Sequence, residues 1–102
     1  MRADNVPVDR YIQHLANPDD RARMEAALQL GRARATEAVE PLSRMLAGDR
    51  SPQAREASAR ALGLIGTPSA LPALQQAAQA DDDRDVRNSA RFAADVIRSR
   101  NP

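Results

Sequence analysis

The densest cluster of ionisable side chains lies at residues 81–85, where four aspartates accompany one arginine. Alternate carboxylates at Asp81, Asp83 and Asp85 resemble the start of a calcium-binding loop, which supplies oxygen ligands in this pattern. Such a loop also needs Gly at its sixth place and Glu at its twelfth, but Val86 and Phe92 stand there. We therefore expect no metal site, but an acidic loop that stabilises the N-terminus of the next helix.

Catalytic side chains are scarce in this chain. It has no Cys, and His14 is its single His, so neither a typical zinc ligand set nor a base with a nucleophile beside it can be assembled. Glu37 and Glu40 are expected on a helix surface, where Glu40 precedes Arg44 by four residues, the spacing of a helical ion pair. We predict a protein that is not an enzyme and has no cofactor.

Nucleic-acid and membrane binding are not indicated by the charges. The chain has 15 basic residues, all Arg, against 14 acidic ones, so it offers no general attraction to polyanions. Gly63 and Gly66 form a GxxG, which clamps RNA in KH domains, but those domains need strands. Both glycines are instead expected to bracket the end of a helix, and Gly31 lies near the end of the matching helix one repeat earlier. No segment approaches the roughly 20 apolar residues of a membrane span, and the N-terminus has no apolar leader. We expect a cytoplasmic protein of bacterial type.

The sequence repeats with a fixed period of 32 residues. Arg23, Arg55 and Arg87 share this spacing, as do Gly31 and Gly63. Further pairs at the same spacing are Leu30 and Leu62, Ala38 and Ala70, Leu42 and Leu74, and Asp49 and Asp81. A fixed period of roughly 20–50 residues is typical of stacked repeats, in which each unit buries its apolar face on its neighbours.

Each repeat predicts two helices. The first begins after a capping residue, as at Ser51 followed by Pro52, and Asp19 and Asp83 hold the same place. Apolar residues then recur at helical spacing, and Ala and Leu dominate because the chain has one Tyr, one Phe and no Trp. The second starts near Thr36 or Thr67. We predict six helices at residues 7–16, 20–33, 36–47, 52–65, 68–80 and 84–99.

A family resemblance follows from these residues. The segment Ala54-Arg55-Glu56-Ala57-Ser58-Ala59-Arg60-Ala61-Leu62-Gly63-Leu64-Ile65-Gly66, with Ala70-Leu71-Pro72-Ala73-Leu74 after it, resembles the short HEAT repeats of the phycobilisome-lyase type. The resemblance extends from about Val8 to Ile97. It implies an all-α fold, a right-handed α–α superhelix (α-solenoid) of about three helical hairpins that forms one domain over residues 1–102.

The resemblance also assigns roles to side chains. It implies that Arg23, Arg55 and Arg87 pair with loop carboxylates and carbonyls of adjacent units, so that they hold the stack together. It implies too that the second helices line a concave face. Stacking would place equivalent residues of that face in rows, with Gln13, Arg44 and Gln76 in one and Asp9, Glu40 and Pro72 in another. Such rows are where repeat proteins bind their partners.

Two functions follow from this architecture. The first is a non-catalytic scaffold or adaptor that binds a protein or peptide on its concave face. The alternative is a bilin (phycobilisome) lyase or lyase-accessory protein, which rests on the family resemblance alone. The small number of aromatic residues and the absence of Cys favour the scaffold.

The two ends of the stack bear on self-association. Arg91 and Asp95 occupy the places of Ala59 and Gly63 in the preceding repeat, so the last helix is polar where it would meet another unit. That arrangement favours a capped monomer. Apolar residues also remain at both ends, among them Phe92 and Tyr11, and they leave an end-to-end homodimer open.

Overall fold

The computed structural model describes residues 7–102 and places six α-helices in that range. They are α1 (Val8–His14), α2 (Asp20–Arg32), α3 (Val39–Gly48), α4 (Pro52–Ile65), α5 (Leu71–Ala80) and α6 (Arg84–Arg100). Residues 7–102 contain no strand, so the all-α prediction is confirmed. No helix in this part of the chain combines the length and hydropathy of a membrane span.

Side-chain caps begin the first helix of each pair. Asp19, Ser51 and Asp83 precede α2, α4 and α6 in extended backbone conformations. Each side chain accepts a hydrogen bond from the backbone N–H three residues later, at 3.0, 3.2 and 3.0 Å respectively. The cap satisfies a donor that has no partner inside the helix.

The second helices differ from the predicted boundaries. Short 3₁₀ turns at Thr36–Ala38 and Pro68–Ala70 stand where α-helix was expected, and α3 and α5 begin only after them. The first helix is also shorter than residues 7–16, because its last turn tightens: Leu15 N–H bonds to Ile12 O at 3.2 Å. Pro18 follows closely, and the residue before a proline is disfavoured in α-helix.

The helices form two layers. One layer contains α2, α4 and α6, the other contains α1, α3 and α5, and each helix of the second layer packs on the helix that follows it in the chain. The result is a slab of 33 × 33 × 16 Å. Its interior is built from fully buried leucines set among alanines: Leu30, Leu42, Leu46, Leu62 and Leu74.

Two glycines allow the α2–α4–α6 layer to pack closely. A Cβ atom on Gly31 would lie 2.7 Å from the Cα of Ala61, and one on Gly63 would lie 2.9 Å from the Cβ of Ala93. Gly31 lies near the end of α2, as expected, but Gly63 does not end α4, which continues to Ile65 and is capped by Gly66. Gly31 and Gly63 are required because the next helix occupies the space of a side chain.

The residues that do leave the helices with a left-handed backbone are Gly66 and Arg34. Gly66 has φ +81° and caps α4, whereas Arg34, which holds the equivalent place in the preceding repeat, has φ 52°. This conformation suits glycine and costs other residues about 1 kcal/mol. The Arg34 guanidinium donates to the carbonyl of Leu64 at 3.0 Å, so this side chain compensates with a bond to the next repeat.

Candidate functional site

The arginine ladder, defined as Arg23, Arg55 and Arg87, lies near the N-terminal ends of α2, α4 and α6. Arg23 donates to Asp49 through two parallel bonds, Nε to Oδ2 and Nη2 to Oδ1, each 2.8 Å long. Its Nη1 donates to the carbonyls of Asn17 and Pro18 at 2.9 and 3.2 Å. The side chains of Arg23 and Asp49 are 9% and 7% exposed. Arg23 is therefore engaged by the protein itself and is not free to hold a phosphate.

Arg55 repeats this arrangement one unit later. Its Nε and Nη2 donate to Oδ2 and Oδ1 of Asp81 at 2.9 and 3.0 Å, and its Nη1 donates to the carbonyl of Asp49 at 2.8 Å. The bond geometry is the bidentate fork that guanidinium and carboxylate groups favour. Each pair joins one repeat to the next, because 26 residues separate the donor from the acceptor.

The same pairs shift the acidity of their members. The hydrogen bond from Arg23 lowers the pKa of Asp49 below its usual value, against the opposing effect of burial. Burial raises the pKa of Asp81, but the hydrogen bonds from Arg55 and from the N–H of Asp83 outweigh it, and the net shift is downward. The bond to Asp49 raises the pKa of Arg23 above its already high value. All three groups are charged at neutral pH.

Asp49 also accepts a hydrogen bond within its own loop. Its Oδ1 accepts from the N–H of Ser51 at 2.9 Å, and Asp81 does the same with the N–H of Asp83 at 3.0 Å. Asn17 is the first member of this series, and its Oδ1 accepts from the N–H of Asp19 at 2.8 Å. An amide suffices for the loop, whereas the ion pair between repeats requires a carboxylate.

Arg87 departs from the expected pairing with a carboxylate. It donates to the carbonyl of Asp81 at 2.8 Å, and within residues 7–102 no carboxylate lies within ion-pair distance of it. Arg23 and Arg55 thus each combine a cross-repeat ion pair with bonds to loop carbonyls, whereas Arg87 has the carbonyl bond without the ion pair. All of these bonds stabilise the stack.

Carboxylates of the acidic loop at residues 81–85 also have structural roles. Asp81 pairs with Arg55, and Asp83 caps α6 through Val86 N–H. In the part of the chain that the structure describes, no three His, Asp or Glu side chains are arranged to hold a metal ion. His14 is exposed at the end of α1, where its ring meets the edge of Tyr11 with 6.1 Å between centroids.

The five residues predicted to bind a partner are all exposed on α1, α3 and α5: Asp9, Gln13, Glu40, Arg44 and Gln76. We call this surface the α1–α3–α5 face. Arg44 pairs with Glu40 at 3.6 Å along α3, and among the five it alone lines a groove of about 470 Å³ between α1 and α3. Asp9, Gln13 and Gln76 lie outside that groove.

The groove itself was not predicted from the sequence, where apolar residues of the first helix were considered only as a surface for end-to-end association. Its walls include Ile12, Leu15, Pro41 and Met45. The available signal was the pair Ile12 and Leu15, which lie three residues apart on one side of a short helix. The repeat pattern does not reveal such a groove, because it indicates which residues are equivalent and not how far apart neighbouring helices lie.

A second groove lies on the opposite layer, between α4 and α6, and has a volume of about 420 Å³. Leu64 and Phe92 line it and are 41% and 72% exposed, so their apolar surface contacts solvent. Phe92 was noted in the sequence as an apolar residue on a polar helix, whereas Leu64 was not singled out. We call this feature the α4–α6 groove.

Stacked helical pairs joined by a ladder of arginines define an α-solenoid of short repeats. A family model of HEAT repeats matches residues 8–95. The chain therefore belongs to the HEAT-repeat family, and the resemblance seen in the sequence is confirmed. No curated protein sequence matches the chain.

One solved structure with this fold is that of human deoxyhypusine hydroxylase in complex with glycerol. It superimposes with a TM-score of 0.84 at 32% sequence identity, and the match covers 90% of this chain. It covers only 32% of the hydroxylase chain. The chain thus spans about a third of the length of that relative, and its fold is used there by an enzyme.

Proposed function

We propose that this protein is a non-catalytic interaction module that binds a protein or peptide on the α1–α3–α5 face. The observation that supports the proposal best is the groove between α1 and α3, whose apolar walls stand beside the exposed guanidinium of Arg44. A groove of this kind accepts an apolar side chain and orients it with one charged contact.

The α1–α3–α5 face is suited to recognition because its polar groups are not required elsewhere. The pair of Arg44 and Glu40 is 68% and 80% exposed at its two side chains, and an exposed helical pair contributes only about 0.3–0.5 kcal/mol. A partner can therefore replace the pair at little cost. The ion pairs of Arg23 with Asp49 and of Arg55 with Asp81, by contrast, have side chains at most 12% exposed, and they cannot exchange partners without loss of stability.

The face also lies on a rigid support. The helices that carry it pack on the tightly packed α2–α4–α6 layer. A preformed surface binds with a smaller loss of conformational entropy than a flexible one. Helical repeat proteins bind partners on extended surfaces that their stacked units create.

The first test is affinity capture from a lysate of the source organism, with wild-type chain and Arg44→Glu as baits. Arg21→Glu is the matched control, because Arg21 is an exposed residue of α2 outside both grooves. We expect Arg44→Glu to lose the partners that Arg21→Glu retains. Each partner is then purified, and the change in its affinity is measured by calorimetry.

The proposal fails if all three baits retain the same partners with the same affinities. An enzymatic role in the manner of a bilin lyase would give a different result. The wild-type chain would then bind a tetrapyrrole with a change in its visible absorbance, and Arg44→Glu would not separate the partners.

A further inference from the structure

The α4–α6 groove has a defined order of side chains along its length. Glu56 of α4 accepts a hydrogen bond from Ser89 of α6 at 2.6 Å, and Gly63 of α4 faces Ala93 of α6 further along. Residue numbers rise together on both sides, so the two helices run in the same direction. The groove therefore has a polar end at Glu56 and another end at the C-termini of the helices.

An apolar patch separates two cations in this groove. Arg60 stands next after Glu56 on α4, followed by Leu64, Phe92 and Val96, and Arg100 lines the far end. The guanidinium of Arg100 lies over the end of α4, since a Cβ on Gly66 would be 3.0 Å from its Nη1. The order along the groove is thus cation, apolar patch, cation.

The spacing of the two cations follows from the repeat. Arg100 on α6 stands at the level of residue 68, because equivalent positions on α4 and α6 are one repeat period apart, as Arg55 and Arg87 are. That level is eight residues beyond Arg60, which corresponds to about 12 Å along a helix axis between the two backbones. The Arg100 guanidinium reaches back to Gly66, six residues beyond Arg60, or about 9 Å. The side chains of both arginines can adjust this distance because they are long and flexible.

Both cations are available to an incoming carboxylate. Glu56 is already engaged with Ser89, and its contact with Arg60 is 3.8 Å long, with 60% of the Arg60 side chain exposed. No carboxylate within residues 7–102 pairs with Arg100. The exposed surface of Leu64 and Phe92 between them supplies the driving force of burial on association.

We propose that the α4–α6 groove binds an amphipathic helix of a partner protein, one that carries a bulky apolar residue between two acidic residues. Acidic residues seven positions apart lie on one face of a helix, about 10.5 Å apart, which falls between the distances of about 9 and 12 Å from Arg60 to the guanidinium and to the backbone level of Arg100. This site is independent of the α1–α3–α5 face, because the two lie on opposite layers of the slab.

A peptide partner fits these features better than an anionic membrane. A membrane surface is attracted by clusters of four to eight basic residues, whereas this groove has two, with Glu56 at its end. Its apolar side chains also line a depression instead of forming a protruding wedge. A single side chain from a helix would fill that depression.

The test uses two synthetic helical peptides and the full chain, with binding measured by fluorescence anisotropy. The acidic peptide carries Glu at positions i and i+7 with Leu at i+3 and i+4, and its twin carries Lys in place of both Glu. We expect the acidic peptide to bind at least tenfold more tightly than its twin. Arg60→Glu and Phe92→Asp should each weaken it at least tenfold, while Arg21→Glu leaves it within twofold.

Charge reversal supplies a rescue. The Lys twin should bind Arg60→Glu more tightly than it binds wild type, because the reversed charges restore one attractive contact. Equal binding of both peptides to wild type would overturn the proposal. The proposal would also be overturned if Arg44→Glu no longer bound the acidic peptide, since the peptide would then lie on the α1–α3–α5 face.

Two further measurements exclude other occupants. Vesicles made of two parts phosphatidylcholine to one part phosphatidylserine should not retain the chain, and sedimentation should give the same mass for wild type and Phe92→Asp. Retention on vesicles that Phe92→Asp abolishes, or a dimer that this substitution dissociates, would overturn the proposal. Phe92 is 72% exposed, so its replacement should preserve the fold, which circular dichroism checks.

Discussion

The guanidinium of Arg23 and the carboxylate of Asp49 face each other through two hydrogen bonds of equal length, 2.8 Å. They come from successive repeats, and both are buried. Removal of Asp49 would leave the buried guanidinium of Arg23 with the half-exposed Asp20 as its remaining carboxylate partner, and a buried charge that loses its buried partner costs more than the net contribution of the pair.

Asp49→Asn is expected to lower the free energy of unfolding by about 3 kcal/mol. The amide keeps the hydrogen bond to the N–H of Ser51, as Asn17 does with Asp19, so the loss reports on the contact with Arg23. Asp82→Asn is the control, because Asp82 also pairs with an arginine of the ladder, Arg55 at 3.1 Å, but its side chain is 94% exposed. Loss of this exposed pair should change stability by less than about 0.5 kcal/mol. Urea denaturation measures both, and equal effects would refute the role assigned to the buried pair.

The stability of the protein should fall in acid. The folded chain lowers the pKa of Asp49, through Arg23, and that of Asp81, through Arg55 and the N–H of Asp83 against burial. The unfolded chain therefore takes up protons first as the pH drops through the usual aspartate range, at about pH 4. The stabilisation is complete above that range and is lost as the pH falls through the lower, folded values. Wild type should thus lose more stability than the double variant Asp49→Asn, Asp81→Asn between roughly pH 5 and pH 2. Parallel curves for the two proteins would contradict this.

Two glycine substitutions should act in opposite directions. Gly31→Ala would set a methyl group 2.7 Å from the Cα of Ala61, a backbone atom that cannot move aside, and should cost about 1–3 kcal/mol. Gly48→Ala meets no atom within 4 Å and should stabilise α3 by about 0.5 kcal/mol through helix propensity. Thermal unfolding of both variants checks the sign of each change. A tolerated Gly31→Ala would mean that α2 and α4 can separate.

Arg34 offers a test of backbone strain. Arg34→Gly and Arg34→Ala both lose the bond to the carbonyl of Leu64, but only glycine adopts φ 52° without cost. We expect the glycine variant to be the more stable of the two by about 1 kcal/mol. The comparison is by chemical denaturation at one pH. If both variants have the same midpoint, the left-handed conformation carries no strain.

The repeat period accounts for most of the fold that could be predicted. Equivalent residues one period apart, such as Leu30 and Leu62, indicated the helical pairs and the buried face, because each unit must cover its neighbour. The roles of Gly31 and Gly63 could not be predicted in this way. A glycine near a helix end is typical of a cap, and only the position of the adjacent helix shows that it serves close packing instead.

The candidate binding surfaces could be predicted less well than the fold, because they depend on how the helices are spaced. Arg44 was identified from its place in a row of exposed residues, but the groove beside it depends on the spacing of α1 and α3. Leu64 and Phe92 have the residue types of a core, and their exposure follows from three-dimensional packing, not from periodicity. A repeating pattern describes what the units share, whereas these surfaces arise where the units differ.

The glycine contacts give the two layers unequal mechanical properties. Backbone meets side chain directly between α2 and α4 and between α4 and α6, so that layer resists compression and behaves as a spine. The helices α1, α3 and α5 rest mainly on this spine and touch one another less. Bending of the slab should therefore open or close the gaps between α1, α3 and α5 while the spine keeps its length. The spacing of the helices on the α1–α3–α5 face is thus the coordinate that bending changes.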